Sequence, residues 1–197
     1  MTKRDNLNAY DLAYCALFTA LMAVGAWIKI VIPVGVFSVT ISLQVFFAIM
    51  AGVLLGSRRG LISVLVYLLI GLVGAPVFAH GGGIFYVLKP TFGFLIGFAA
   101  AAYFTGKAYE TLKTNLSQGR AVMLSALLGE GAYYACGLIY YYIMYNLVLP
   151  DVPGIGIVEL FSVWCFSTII PDTVICLLAA QFALRILPLL SLRQEVV

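Results

Sequence analysis

Apolar residues run along this chain in six long blocks, roughly 9–31, 39–56, 61–78, 90–108, 120–147 and 157–187, separated by short polar stretches. Each block is near or above the ~20 residues that an α-helix needs to cross a bilayer. None alternates apolar with polar positions in the manner of barrel strands, so the pattern predicts helices and no strands. The second and third blocks are divided only by GSRRG, Gly56 to Gly60, which predicts a tight helical hairpin. The expected fold is an all-α integral membrane protein of six transmembrane helices, with residues 1–197 forming a single domain. The first block is too long for a cleaved leader and shows no small-residue cleavage site before the next.

Composition points the same way. Of the 197 residues 63% are hydrophobic and 10% are charged, with mean hydropathy +1.09, whereas a soluble domain carries about 25% charged residues. Lys3, Arg4, Arg58, Arg59, Lys107, Lys113, Arg120, Arg185 and Arg193 fall on one side of the predicted spans. Lys29 and Lys89 fall on the other, with Asp151 and Glu159. The positive-inside rule then places both termini in the cytoplasm, together with a polar linker at about 106–120, and turns the loop at 79–90 outward. The net charge of +3 follows from this topology; it implies a lipid bilayer as surroundings and leaves no nucleic-acid footprint.

Chemistry-bearing residues are few. The outward loop reads AHGGGIFYVLKP and holds the only histidine, His80, with Gly81, Gly82, Gly83 and Lys89. Ionisable groups near the centre of a spanning helix cost about 2.5–3.5 kcal/mol, which makes them candidates for function. Asp172 follows Pro171, where a proline can open the helix and turn a carboxylate toward a watered cavity. A hydrogen-bonded structural carboxylate is the other reading. Glu130 lies about three turns from Arg120 and is expected to reach or pair at the interface. Gln44 can donate and accept at once, for a ligand or for helix packing. Tyr134, Tyr141 and Tyr145 share one helix face and predict an aromatic wall, while Tyr142 and Tyr145 also suit an interfacial belt. Ala13, Ala16, Ala20 and Ala23 give the first helix a face without bulk, suited to close packing within the bundle or against another subunit. Gly52 and Gly56, like Gly93 and Gly97, are expected to serve packing inside the bundle.

Several functions find no support. Cys15, Cys136, Cys165 and Cys176 lie within predicted spans without CxxC spacing, which fits packing better than metal or redox chemistry. GSRRG is no phosphate-binding loop, and no nucleotide or GxSxG motif occurs. If ATP drives this protein, another subunit must hydrolyse it.

GLVGAPVFAHGGG followed by KPTFGFLIGF resembles the loop signature of the BioY family, the biotin-specific S components of energy-coupling-factor (ECF) vitamin transporters. Its members typically show G-L-x-G-x-P-V-F-A-x-G-x-G and then G-P-T-x-G-Y-L-I-G-F. ISLQ at Ile41 to Gln44 resembles the family's I-T-L-Q, and LLGSRRGLISV its L-L-G-x-x-x-G-x-x-S-V. Tyr134-x-x-Gly137 and Pro171-Asp172 also fit, so the likeness runs from Ala13 to about Ala180.

The resemblance implies an ECF S-component-like bundle in a bacterial plasma membrane, binding a vitamin near its outer face. Biotin would be a ligand and not a prosthetic group, and no cofactor or metal is expected. Substrate contacts are expected from Gln44, Ala79, His80, Gly81, Gly82, Lys89, Tyr134 and Asp172. Ala13, Ala16, Ala20 and Ala23 would dock on the transmembrane coupling subunit, which in turn binds a pair of ATPases. Two departures stand out. Members often read P-G-D-L-L-K where this chain has Pro171-Asp172-Thr173-Val174-Ile175, and Lys89 replaces a glycine before Pro-Thr. Lys89, with His80 or loop amides, is therefore expected to meet the ligand carboxylate. Another small carboxylated vitamin such as lipoate, or a biotin precursor, is the alternative ligand. An intramembrane enzyme using His80 or Asp172 is a further reading from another class, opposed by the single histidine and the lack of a neighbouring nucleophile. A purely structural protein is the third, and it leaves the loop composition unexplained.

Overall fold

The computed structural model describes residues 8–34, 37–149, 154–162 and 166–194; Lys3, Arg4, Asp151 and Cys165 lie outside them. The first helix, α1 (Ala9–Trp27), opens on a capping box. Asn8 accepts from the Ala9 N–H at 2.6 Å, and Asp11 Oδ2 accepts from the Asn8 N–H at 3.1 Å, satisfying donors that a helix start leaves unpaired.

After α1 the chain departs from the expected pattern. Strands β1 (Lys29–Val34) and β2 (Phe37–Ser42) pair antiparallel, in register from Lys29↔Ser42 to Val34↔Phe37. The expectation of an all-α fold is thereby corrected, and the first two blocks lose their inner ends to this hairpin. The reason lies in FSVTIS, where Phe37, Val39 and Ile41 alternate with Ser38, Thr40 and Ser42 at the period of a strand. β-Branched residues crowd both strands, and Pro33 cannot continue a helix. Val39 and Ile41 are buried.

Helix α2 (Gln44–Leu72) is continuous in sequence but not in direction, because Gly56 sits at φ 82°, ψ 174°. Gln44 Nε2 lies 2.5 Å from the Tyr67 hydroxyl, whereas a straight helix would hold these residues about 35 Å apart. The two legs therefore fold back on each other at GSRRG, as the polar break predicts. Gly56, expected to serve packing, instead makes the reversal. The Glu110 carboxylate accepts from the Ser57 N–H and Oγ, each at 2.9 Å, and caps the second leg.

A turn of 3-10 helix (Ile84–Leu88) leads into α3 (Phe92–Leu112), and α4 (Gln118–Ile143) runs on into a π turn (Met144–Val148). Residues 113–117 alone join α3 to α4, so the polar linker expected at 106–120 is mostly helix. Glycines bring these two helices close together. A Cβ on Gly97 would lie 2.7 Å from the Tyr133 carbonyl oxygen, and one on Gly137 would lie 2.2 Å from the Phe94 ring. After the short α5 (Ile157–Leu160), α6 (Phe166–Gln194) carries Pro171 and Pro188 and packs on α2 and α4.

Among the described residues four stretches, Ala9–Trp27, Gln44–Leu72, Gln118–Val148 and Ser167–Leu189, are long and apolar enough to cross a membrane. Charge separates the two ends of the bundle. Asp11 at the start of α1 pairs with Arg59 at 3.0 Å, beside Lys107 and Glu110. The opposite end gathers the β-hairpin, His80 and Lys89.

Candidate ligand-binding site

A cavity of about 150 Å³ opens at the hairpin end. Among its polar side chains, Ser42 ends β2, Gln44 starts α2, and Thr168 and Asp172 come from α6 one turn apart. Tyr86, Phe94, Phe98 and Tyr133 form aromatic walls, while Thr40, Ala79 and His80 stand at the mouth. Among the described residues, Asp172 is the only acidic one in the lining.

Each polar group is held in one orientation. The Tyr134 hydroxyl donates to Asp172 Oδ2 at 2.8 Å and lies 2.8 Å from Thr168 Oγ1. A phenol has one proton, so its oxygen accepts from Thr168. Asp172 is 5% exposed, and this contact leaves its other oxygen available to a ligand donor. Across the cavity, Gln44 Nε2 donates to Tyr67, whose hydroxyl donates to the Val77 carbonyl at 3.2 Å. Ser42 Oγ donates to Gln44 Oε1 at 3.1 Å. This relay fixes which end of the amide is oxygen and which is nitrogen.

The loop above the cavity is a tight turn. Phe78 and Gly81 exchange backbone hydrogen bonds at 2.9 and 3.2 Å, which puts Ala79 and His80 at its tip. Gly81 has φ +108°, and a Cβ on Gly82 would lie 2.1 Å from the Ala75 carbonyl oxygen. These two glycines therefore let the loop press against the end of α2, and neither lines the cavity. Two contacts tie the loop to the hairpin: Lys29 Nζ donates to the Ala79 carbonyl, and His80 Nε2 lies 3.0 Å from Thr40 Oγ1. Burial first, and then the positive charges of Lys29 and Lys89, push the His80 pKa below its ordinary value.

Of the residues expected from sequence, Gln44, Ala79, His80 and Asp172 come together around the cavity. Tyr134 stands behind the lining and orients Asp172, while its neighbour Tyr133 forms the wall. Lys89 turns aside, with its ammonium 4.2 Å from the centroid of the Tyr86 ring. Tyr141 and Tyr145 stack on each other at 4.7 Å away from the cavity, so the single aromatic wall expected from three tyrosines does not form. Helical spacing put them on one face but could not say what that face meets. Glu130, expected at the interface, is 5% exposed and accepts from Thr173 Oγ1 at 2.8 Å. Thr168 and Tyr133 were missed for want of any charge or motif, and Lys29 was read only as a topology marker. On α1, Ala13, Ala16 and Ala20 are exposed and Ala23 is half-buried.

A helical bundle with membrane-spanning stretches, enclosing an aromatic cavity with one oriented carboxylate, is the architecture of a ligand-holding membrane protein. Comparison with known proteins gives the family. The BioY family model matches residues 1–192. The probable biotin transporter BioY of Lysinibacillus sphaericus is 40% identical over 179 residues, 91% of this chain and 87% of that protein. The biotin transporter BioY of Rhizobium etli is 35% identical over 161 residues, 79% and 81% of the two chains. The crystal structure of the S component for biotin from an ECF-type ABC transporter superposes with a TM-score of 0.76, at 26% identity over 94% of each chain. The chain belongs to the BioY family.

Proposed function

We propose that this protein is the biotin-binding S component of an ECF importer, a transporter subunit and not an enzyme. The observation that carries this reading is Asp172, buried in the cavity and held by Tyr134 opposite the fixed amide of Gln44, in a BioY-family chain. Biotin presents a ureido ring with two N–H donors and one carbonyl acceptor. Asp172 accepts from the ring N–H groups, the second N–H of Gln44 Nε2 donates to the ureido carbonyl, and the aromatic walls cover the apolar faces. Lipoate has no N–H donors and would leave Asp172 facing an apolar ring. A precursor that keeps the ureido group would satisfy the same end.

The two legs of α2 together with α1, α3, α4 and α6 give six passes in one domain, with both termini cytoplasmic under the positive-inside rule and the cavity facing out of a bacterial plasma membrane. The exposed Ala13, Ala16 and Ala20, with Ala23 beside them, provide the docking face for a transmembrane coupling subunit, and a paired ATPase supplies the energy. No cofactor or metal takes part. Titration of the detergent-purified protein with biotin tests the reading: tight one-to-one binding without turnover is expected. Absence of biotin binding, or equal binding of lipoate, refutes it.

A further inference from the structure

We propose that Lys29 of the β-hairpin forms, with His80, an anion subsite at the cavity mouth that takes the carboxylate of the ligand. This rests on the reading of the cavity as a biotin site and adds which end of the ligand faces which end of the cavity. Among the described residues the inner end carries Asp172 and no cation, and a second carboxylate there would be opposed by like charge in a low-dielectric setting. The acid tail must therefore point to the mouth.

Three nitrogen groups lie at or beside it: His80 lines the cavity, and Lys29 and Lys89 each contact a lining residue. Lys89 has its ammonium over the Tyr86 ring, 4.2 Å from the centroid, a position that fits a cation–π contact. Lys29 is placed differently. It is the cross-strand partner of Ser42, so it shares a hairpin face with Ser42 and Thr40, both of which line the cavity. Its Nζ donates to the carbonyl of Ala79, another lining residue. An ammonium has three donors, so a carboxylate at the mouth can take a second without breaking that tie. His80 is fixed beside it by Thr40, and in the tautomer whose Nε2 accepts from Thr40 its Nδ1–H is a further donor. Among the described residues, no carboxylate other than Asp172 lines the cavity. The hairpin thus supplies the cation that Ile175 does not; Ile175 lies half-buried against the apolar core.

The test compares biotin with neutral biotinamide on purified wild-type protein and on Lys29→Gln, Lys29→Arg and Lys89→Gln. Wild type is expected to prefer biotin. Lys29→Gln should lose about 10- to 100-fold in biotin affinity, the range of a charge-assisted hydrogen bond, while keeping its affinity for biotinamide, which also shows that the variant is folded. Lys29→Arg should restore part of the preference. Equal wild-type affinity for acid and amide overturns the subsite. So does an equal loss of both ligands in Lys29→Gln, which would mean that Lys29 only holds the loop. Loss of discrimination in Lys89→Gln but not in Lys29→Gln assigns the charge to Lys89 and overturns the proposal. Failure of wild type to bind either ligand overturns the biotin reading itself, a result distinct from the others.

Discussion

Tyr134→Phe removes one oxygen atom and leaves the ring where it is. That oxygen donates to Asp172 Oδ2 and accepts from Thr168, both at 2.8 Å, joining α4 to α6 behind the cavity. Interhelical hydrogen bonds in membrane proteins average about 0.6 kcal/mol and reach about 1.7, because the unfolded helices also find partners in the bilayer. Bonds to ionised groups in soluble proteins reach about 1.5–3 kcal/mol. Two bonds, one of them to a carboxylate, then amount to about 1–3 kcal/mol here. If this energy keeps Asp172 turned to the ligand, biotin affinity falls by about 5- to 150-fold. Calorimetric titration of the variant in detergent measures this, with Asp172→Ala marking complete loss of the carboxylate. If Tyr134→Phe binds biotin within about twofold of wild type while Asp172→Ala abolishes binding, the idea that Tyr134 orients the carboxylate is wrong.

Gly97→Ala places a Cβ 2.7 Å from the Tyr133 backbone oxygen. Backbone cannot rotate away, so α3 and α4 must part at a cost of about 1–3 kcal/mol, expected as a lower unfolding midpoint in detergent together with weaker biotin binding. The His80 pKa is lowered by burial and then by Lys29 and Lys89. The unfolded chain therefore takes up this proton first, and the stability of the ligand-free protein should fall as pH drops below about 6.5. His80→Gln should flatten that slope, and an unchanged slope in thermal scans across this range would contradict the assignment. Ala16→Leu and Ala20→Leu add bulk to an exposed face of α1; co-purification with the coupling subunit should fail while biotin binding persists, and retained assembly would count against this face.

Much of the bundle was legible in the order of residues. GSRRG marked the reversal that Gly56 makes, because a polar break between apolar blocks has nowhere to go except a membrane surface. Asp172 was legible through its cost, since a carboxylate in an apolar helix needs partners. The β-hairpin was legible only at a finer scale: the six residues FSVTIS alternate strictly, but they were absorbed into a long hydrophobic block. Glu130 was misplaced because distance along the helix from Arg120 says nothing about which neighbour the side chain faces. It faces Thr173, 43 residues further on.

The sequence by itself determined a membrane-embedded helical chain of this family and its helical hairpin turn, because hydropathy acts on each segment separately through contact with lipid and water. Tertiary structure decided what the polar residues do. Tyr133 and Tyr134 are adjacent in sequence, yet one forms the cavity wall and the other holds a carboxylate, because a helix points successive side chains about 100° apart. Lys29 and Lys89 are equivalent as charges in the sequence, but only the pairing of β1 with β2 sets Lys29 beside Ala79. Such roles depend on long-range packing, which no local pattern carries.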